Sequence, residues 1–191
     1  MTMRNLRTMA APIALLVVII GAVALWSVGR VTVNRPAVRP TALEAGKMTS
    51  EGGRKGVTLF FVARDDHSFR EEHREIESVA TATEDAKRTV TELIKGPQSG
   101  NVAPTVPHEA KLLNLFIDSS GTAYVDFNQG LRDGLPGGAQ EELYTVFSIV
   151  NTLTSNFTQI KRVQILVEGA EIPTLAGHVD ARMALPPQYV F

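Results

Sequence analysis

Three hydrophobicity patterns succeed one another along the chain: an unbroken apolar run, a stretch without period, and a series of short periodic segments. Residues 9–28 are uncharged and mostly apolar, with Arg4 and Arg7 before them. As a helix, about 20 residues span roughly 30 Å, the thickness of a bilayer's hydrocarbon layer. Pro12 would lie in the first turn, where a missing N–H costs little, and Trp26 near the far interface, where an indole suits the headgroup region. Residues 1–29 therefore read as an N-terminal signal anchor, a single transmembrane helix. Ala22-Val23-Ala24, following an apolar core at 13–20, also has the form of a cleavage site, which would make the protein secreted. A buried soluble helix is the third reading, and it lacks a polar face to support it. Arg30, Arg35 and Arg39 weaken the positive-inside bias, yet the anchor and the signal peptide both place the rest of the chain outside the cytoplasm.

Residues 30–56 show no apolar period and are rich in Pro, Gly, Thr and Arg. They read as a flexible linker with a root-mean-square reach of roughly 25–30 Å. A folded domain is expected over 57–191. Residues 57–63 (VTLFFVA) are β-branched and aromatic and predict a buried strand. Residues 64–69 read as a polar loop, and 73–80 fit neither period cleanly. Thr81-Ala-Thr-Glu84 has the form of a capping box, and Ala86, Val90, Leu93 and Ile94 follow at helical spacing until Gly96-Pro97. After a loop over 98–107, residues 111–118 and 122–127 predict a hairpin around Asp118-Ser-Ser-Gly121. Leu113, Leu115 and Ile117 would share one face with Val125 and Phe127. Gly134 to Gly138 form a break. Leu143, Val146, Phe147, Val150, Leu153 and Phe157 then mark a long amphipathic helix, and Val163, Ile165 and Val167 a last strand. The expected fold is α+β: one small mixed or antiparallel sheet, covered on one face by two helices, its other face wet or covered by a partner.

Composition narrows the classes. Lys and Arg total 19 against 20 Asp and Glu. With no basic block or basic–aromatic stripe in the folded part, a nucleic-acid partner is not expected. The absence of cysteine excludes disulfides, thiolate-bound zinc and a cysteine lipid anchor. About 135 residues can bury roughly two-thirds of their unfolded surface, enough to fold without a staple.

No catalytic, cofactor or metal residue is assigned, and no cofactor is expected. Asp65, Asp66, His67, Glu71, Glu72 and His73 crowd one segment but match no metal-ligand spacing, and they read as a solvated polar loop. Asp118, Asp126 and Asp133 lack the alternating oxygens of a calcium loop and read as turn formers. His178 and Asp180, two apart, would project from one face of a strand, yet no Ser or Cys nucleophile motif accompanies them. A structural hydrogen bond is the simpler expectation. Asn151, Thr152 and Thr154 inside the long helix either satisfy buried backbone or belong to a partner surface. Gly169 and Gly177 suit turns with positive φ. Tyr189-Val-Phe191 reads as packing of the tail.

Taken together, several stretches resemble a GerMN domain over residues 57–185. They are Leu59-Phe60-Phe61, Glu92-Leu-Ile-Lys-Gly-Pro97, Val106-Pro-His-Glu-Ala-Lys-Leu-Leu113, Ala123-Tyr-Val-Asp-Phe127, Val150-Asn-Thr-Leu-Thr154, Val163-Gln-Ile-Leu-Val-Glu-Gly169 and Gly177-His-Val-Asp180. Their order and spacing, more than any one of them, carry the likeness. The resemblance implies an extracytoplasmic α+β module of envelope proteins, lipoproteins and membrane-anchored proteins among them, some of which help assemble multiprotein envelope complexes. It carries no catalytic residue. The sporulation protein that names the family has two such domains and a lipid anchor. This chain has room for one domain and no cysteine, so a general envelope role is the expectation.

The resulting expectation is a non-catalytic, extracytoplasmic protein-interaction module tethered to the membrane, with other envelope proteins as partners. Asn151, Thr152, Thr154, Glu168, Gly169, Gly177, His178 and Asp180 are its candidate interaction or structural motif. The alternative is a domain that binds a cell-wall fragment or small molecule.

Overall fold

The apolar run at 57–63 forms the larger part of strand β1 (Arg54–Ala63), whose last five residues are all buried. The computed structural model describes residues 53–79 and 81–190. The expected membrane helix, most of the linker and Phe191 lie outside the described residues. Among the described residues no helix is long and apolar enough to cross a membrane.

Strand β2 (Phe69–Glu77) returns antiparallel to β1, with Val62 opposite Phe69 and Arg54 opposite Glu77. The loop expected over 64–69 is the β1–β2 turn up to Ser68, and the strand gives 73–77, which fitted neither period, a definite structure. Its inward positions include Arg74 and Ile76, with Glu72 half-buried beside them, so an ion pair stands where alternation would place apolar residues. Helix α1 (Ala82–Ile94) begins as its capping box predicts: the Glu84 N–H donates to Thr81 Oγ1 at 3.3 Å. It ends before Gly96, at φ +81, a conformation that suits glycine. A two-residue strand, β3 (Val102–Ala103), pairs with the end of β1 inside the expected loop.

Strands β4 (Leu112–Ile117) and β5 (Thr122–Phe127) form the predicted hairpin. A β-bulge between Leu112 and Asn114 breaks its register, which leaves Leu113 exposed instead of sharing the Leu115 face. A four-residue helix, α2 (Gly130–Asp133), precedes the long helix α3 (Ala139–Asn156). Strand β6 (Arg162–Val167) lies parallel to β5, a pairing made possible by the α3 crossover. Glu168 (φ +52) and Gly169 (φ +75) make a two-residue turn into β7 (Ala170–Glu171). Positive φ at both residues is the type I′ geometry that suits a tight hairpin.

The class is α+β, but the single expected sheet is two: a three-stranded sheet in the order β2-β1-β3 and a four-stranded one in the order β4-β5-β6-β7. Helix α3 packs against β1 and β6, and its residues from Thr145 to Leu153 are buried without interruption. A helix buried all round has a place in the middle of a core. Phe61, Phe127, Phe157, Leu93, Leu115, Ile149, Leu153 and Ile165 fill the remaining space.

Candidate functional site

The polar residues of α3 face the open edge of β1. Past the short pairing with β3, the Thr58 and Phe60 groups on that side have no strand partner. The Thr58 N–H donates to Asn156 Oδ1 at 2.8 Å, and Asn156 Nδ2 donates to the Thr58 carbonyl at 2.6 Å. The Phe60 N–H donates to Thr152 Oγ1 at 3.1 Å. Next to Thr152, Asn151 exchanges two hydrogen bonds with the Gln188 backbone, at 2.7 and 2.9 Å, which draws the tail alongside. Tyr189 packs on Phe60 with ring centroids 5.4 Å apart. Thr154 donates back to Val150 O in its own helix. Asn151 and Thr152 thus satisfy backbone, and Asn156, which shares the task, has no sequence signal beyond its place one turn after Thr152.

His178 and Asp180 do not form a pair. Asp180 holds Arg182 Nη2 at 2.7 Å, and its carboxyl is lowered to about 2 by that guanidinium. His178 belongs to a buried anchor that sequence reasoning missed. Glu142, in the first turn of α3, is fully buried and accepts the backbone N–H groups of Leu175 at 2.8 Å and His178 at 2.7 Å; His178 Nδ1 lies 3.2 Å away. Burial alone would raise this carboxyl, yet the backbone donors of Ala176, His178, Val179 and Leu175 hold it below the usual range. Gly177, at φ +101, lets the loop turn around the carboxylate. Glu168 Oε1 likewise accepts the Gln129 N–H at the start of α2, and the Gly169 N–H donates to Asp126.

The acidic segment after β1 also separates. Asp65, Asp66 and His67 lie in the β1–β2 turn, while Glu71, Glu72 and His73 lie on β2. Asp66 is held to about 2 by hydrogen bonds from Ser68, with Arg70 adding to the effect. Asp118 closes its turn through Ser120 and Thr122, and Asp133 accepts from Gln129. Among the described residues no three His, Asp or Glu converge as a metal site.

Two surface features remain. The first is the outward face of the β4–β5 hairpin. Phe116 sits opposite Tyr124 and stacks on it, centroids 4.5 Å apart and planes 6° from parallel. Phe116 is 50% exposed, and Leu113, at the bulge of the same strand, is 51% exposed. On the β6 side this face is covered: Gln164 Nε2 donates to Ala181 O at 2.7 Å, and Leu185 pairs with Val163.

The second is an open groove of about 860 Å³ between the β1–β2 turn, the residues around β3 and the start of α3. Its walls are fixed by buried polar contacts. Arg74 donates to the carbonyls of Glu92 (3.1 Å) and Gly96 (2.5 Å), which caps the end of α1. Glu72 receives Arg74 and the Gln98 and Ser99 N–H groups; these outweigh burial, which would raise its carboxyl, and hold it low. Opposite, the Tyr144 hydroxyl donates to the carbonyl of His67, a non-glycine residue at φ +58. Thr145 donates to the Thr105 carbonyl at 2.6 Å, while the buried Thr105 hydroxyl has no partner among the described residues. A buried hydroxyl left unpaired costs about 1–3 kcal/mol.

Known proteins share this fold. A candidate lipoprotein from Clostridium perfringens matches the chain with 25% identity and a TM-score of 0.50, over 70% of this chain and 88% of that one. The tandem GerMN domains of the sporulation protein GerM from Bacillus subtilis match with 17% identity and a TM-score of 0.52, over 73% of this chain. That match covers 46% of the tandem protein, and it shows a shared fold. No curated protein matches the chain. The Germane family, described as sporulation and spore germination, matches residues 58–173, which include both sheets and all three helices of the described residues except the outermost strand residues. The chain belongs to the Germane family of sporulation and spore germination domains.

Proposed function

We propose that this domain is a non-catalytic docking module, held outside the cytoplasm on a membrane anchor formed by residues 9–28, where it helps assemble a cell-envelope complex. The observation that carries the reading is the aromatic face of the hairpin. A half-exposed Phe116 stacked on Tyr124, with Leu113 exposed on the same strand, gives an apolar surface open to solvent. Such patches mark contact sites for other proteins. The likeness to a candidate lipoprotein supports an envelope location, because both the anchor and a lipid would tether a domain of this fold to a membrane. Family membership supports a role beside sporulation and germination proteins.

The test is in-cell photocrosslinking from position 116, with a compartment-sensitive reporter fused after Phe191. The expected result is an active extracytoplasmic reporter and a discrete adduct from position 116 that is absent when the crosslinker replaces Thr91 on α1. A reporter active only in the cytoplasm would overturn the location, and adducts equal at both positions would overturn the docking face.

A further inference from the structure

The groove beside β3 is separate from the hairpin face, and its chemistry points to a different kind of guest. Its volume of about 860 Å³ lies in the range of small-molecule sites. Ile94, Val102, Val106, Leu135 and Tyr144, with several prolines, give it an apolar lining. A patch of that composition gains from excluding water but does not by itself orient a ligand.

The charged groups on the lining supply the orientation. Lys95 is held by Glu92 at 2.5 Å, and His108 lies 3.1 Å from Glu109. The Glu141 carboxylate folds back over the start of its own helix, close enough that a Cβ on Gly138 would lie 2.6 Å from Oε2. Arg64 is different. Arg54, Arg70, Arg74, Arg88 and Arg182 each hold a carboxylate. Arg64 lines the groove and its guanidinium has no partner among the described residues. Thr105, nine-tenths buried on the same lining, has a hydroxyl that is itself fully buried and unpaired among the described residues, so it is closed to a guest. The groove therefore offers a fixed apolar body and one free guanidinium, and its walls are pinned by Arg74 on one side and Tyr144 on the other.

We infer that this groove binds an amphiphilic small molecule, an apolar ring or chain carrying one anionic group that pairs with Arg64. A guanidinium suits a carboxylate or phosphate because its donors meet both oxygens at once. The site does not depend on the hairpin face, so it stands or falls separately from the docking role.

The experiment is calorimetric titration of the full chain in lipid nanodiscs, with empty nanodiscs subtracted. The probes are 2-naphthaleneacetate and its neutral amide. The expected result is one saturable site that takes the carboxylate about tenfold more tightly than the amide. Arg64→Glu, on an exposed side chain, should remove that preference without changing the midpoint of thermal unfolding. Leu135→Trp should abolish binding of both probes by filling the groove, and Phe116→Ser should leave both unchanged. Equal affinity for the two probes, a preference that survives Arg64→Glu, or no saturable binding would each overturn the inference.

Discussion

The edge of β1 and the face of the β4–β5 hairpin both present strand surface that no strand covers, and the chain treats them in opposite ways. At the edge of β1, Thr58 and Phe60 turn their backbone toward α3, and Asn156 and Thr152 meet each group with a side chain. Gln188 and Tyr189 then close the same region from outside. On the β4–β5 hairpin the uncovered surface is a side-chain face, where Phe116 stacks on Tyr124 and leaves half its surface in solvent. An open edge satisfied within the molecule no longer offers the N–H and C=O groups that recruit other strands without discrimination. An apolar face has no such groups to satisfy, so it can stay open to solvent without leaving a backbone group unpaired. The comparison thus separates the polar residues of α3, which serve the fold, from the aromatic pair, which is free to serve a partner.

The closed edge gives the largest expected effect. Asn156→Leu removes both partners of Thr58 and leaves a part-buried N–H and carbonyl unpaired. Stability should fall by about 3 kcal/mol, read by urea unfolding, since each orphaned group costs about 1–3 kcal/mol. Thr152→Val orphans the Phe60 N–H alone and should cost about half as much. An Asn156→Leu protein within a few tenths of a kcal/mol of the parent would show that water closes this edge, and the contrast with the hairpin would lose its basis.

Next in size is the Glu142 anchor, which ties the loop at 175–179 to α3. Its carboxyl is lowered in the folded state, so its contribution is complete above the unfolded value near 4.5 and is lost as pH falls through the folded one. Glu142→Gln should cost about 2 kcal/mol at pH 7, because an amide cannot accept from every surrounding N–H. The same variant should flatten the decline of stability below pH 4.5, measured as thermal midpoints from pH 7 to pH 3. Asp85 and Glu72 are also lowered and will keep part of the decline in place. An unchanged pH profile would mean that the anchor does not titrate with folding.

Much of the fold was legible because its signals are local. The Thr81 cap, the Gly96-Pro97 stop, the period of α3 and the Asp118 turn all act within a few residues. What was not legible depends on partners far along the chain. β2 hid because its inward positions carry Glu72 and Arg74, whose pairing is visible only once the loop after α1 folds back over them. The division into two sheets depends on where α3 sits, and periodicity is silent on that. Leu113 has the alternation of a core residue, and a single bulge moves it to the surface. Among candidate residues, His178 was noticed beside Asp180, its neighbour in sequence, whereas its partner is Glu142, which reads as an ordinary polar position in the first turn of a helix. The groove was invisible for the same reason: its walls come from four segments, and only the strain at His67 lies in a stretch already singled out.

The smallest expected change in stability belongs to the hairpin face, and it is the sharpest test of the contrast. Phe116 is half in water, so Phe116→Ser forfeits little burial. The stacking with Tyr124 adds on the order of 1 kcal/mol at most. If the face served only the fold, this variant would be as quiet in the cell as in the test tube. A docking role predicts a separation: unfolding shifted by about 1 kcal/mol or less, while the crosslinked adduct, measured from position 113 in the Phe116→Ser background, disappears. Thr152→Val should show the reverse, a larger loss of stability with the adduct intact. If both variants lose the adduct in proportion to their stability, the aromatic pair contributes through folding alone, and the two surfaces differ only in how they keep water out.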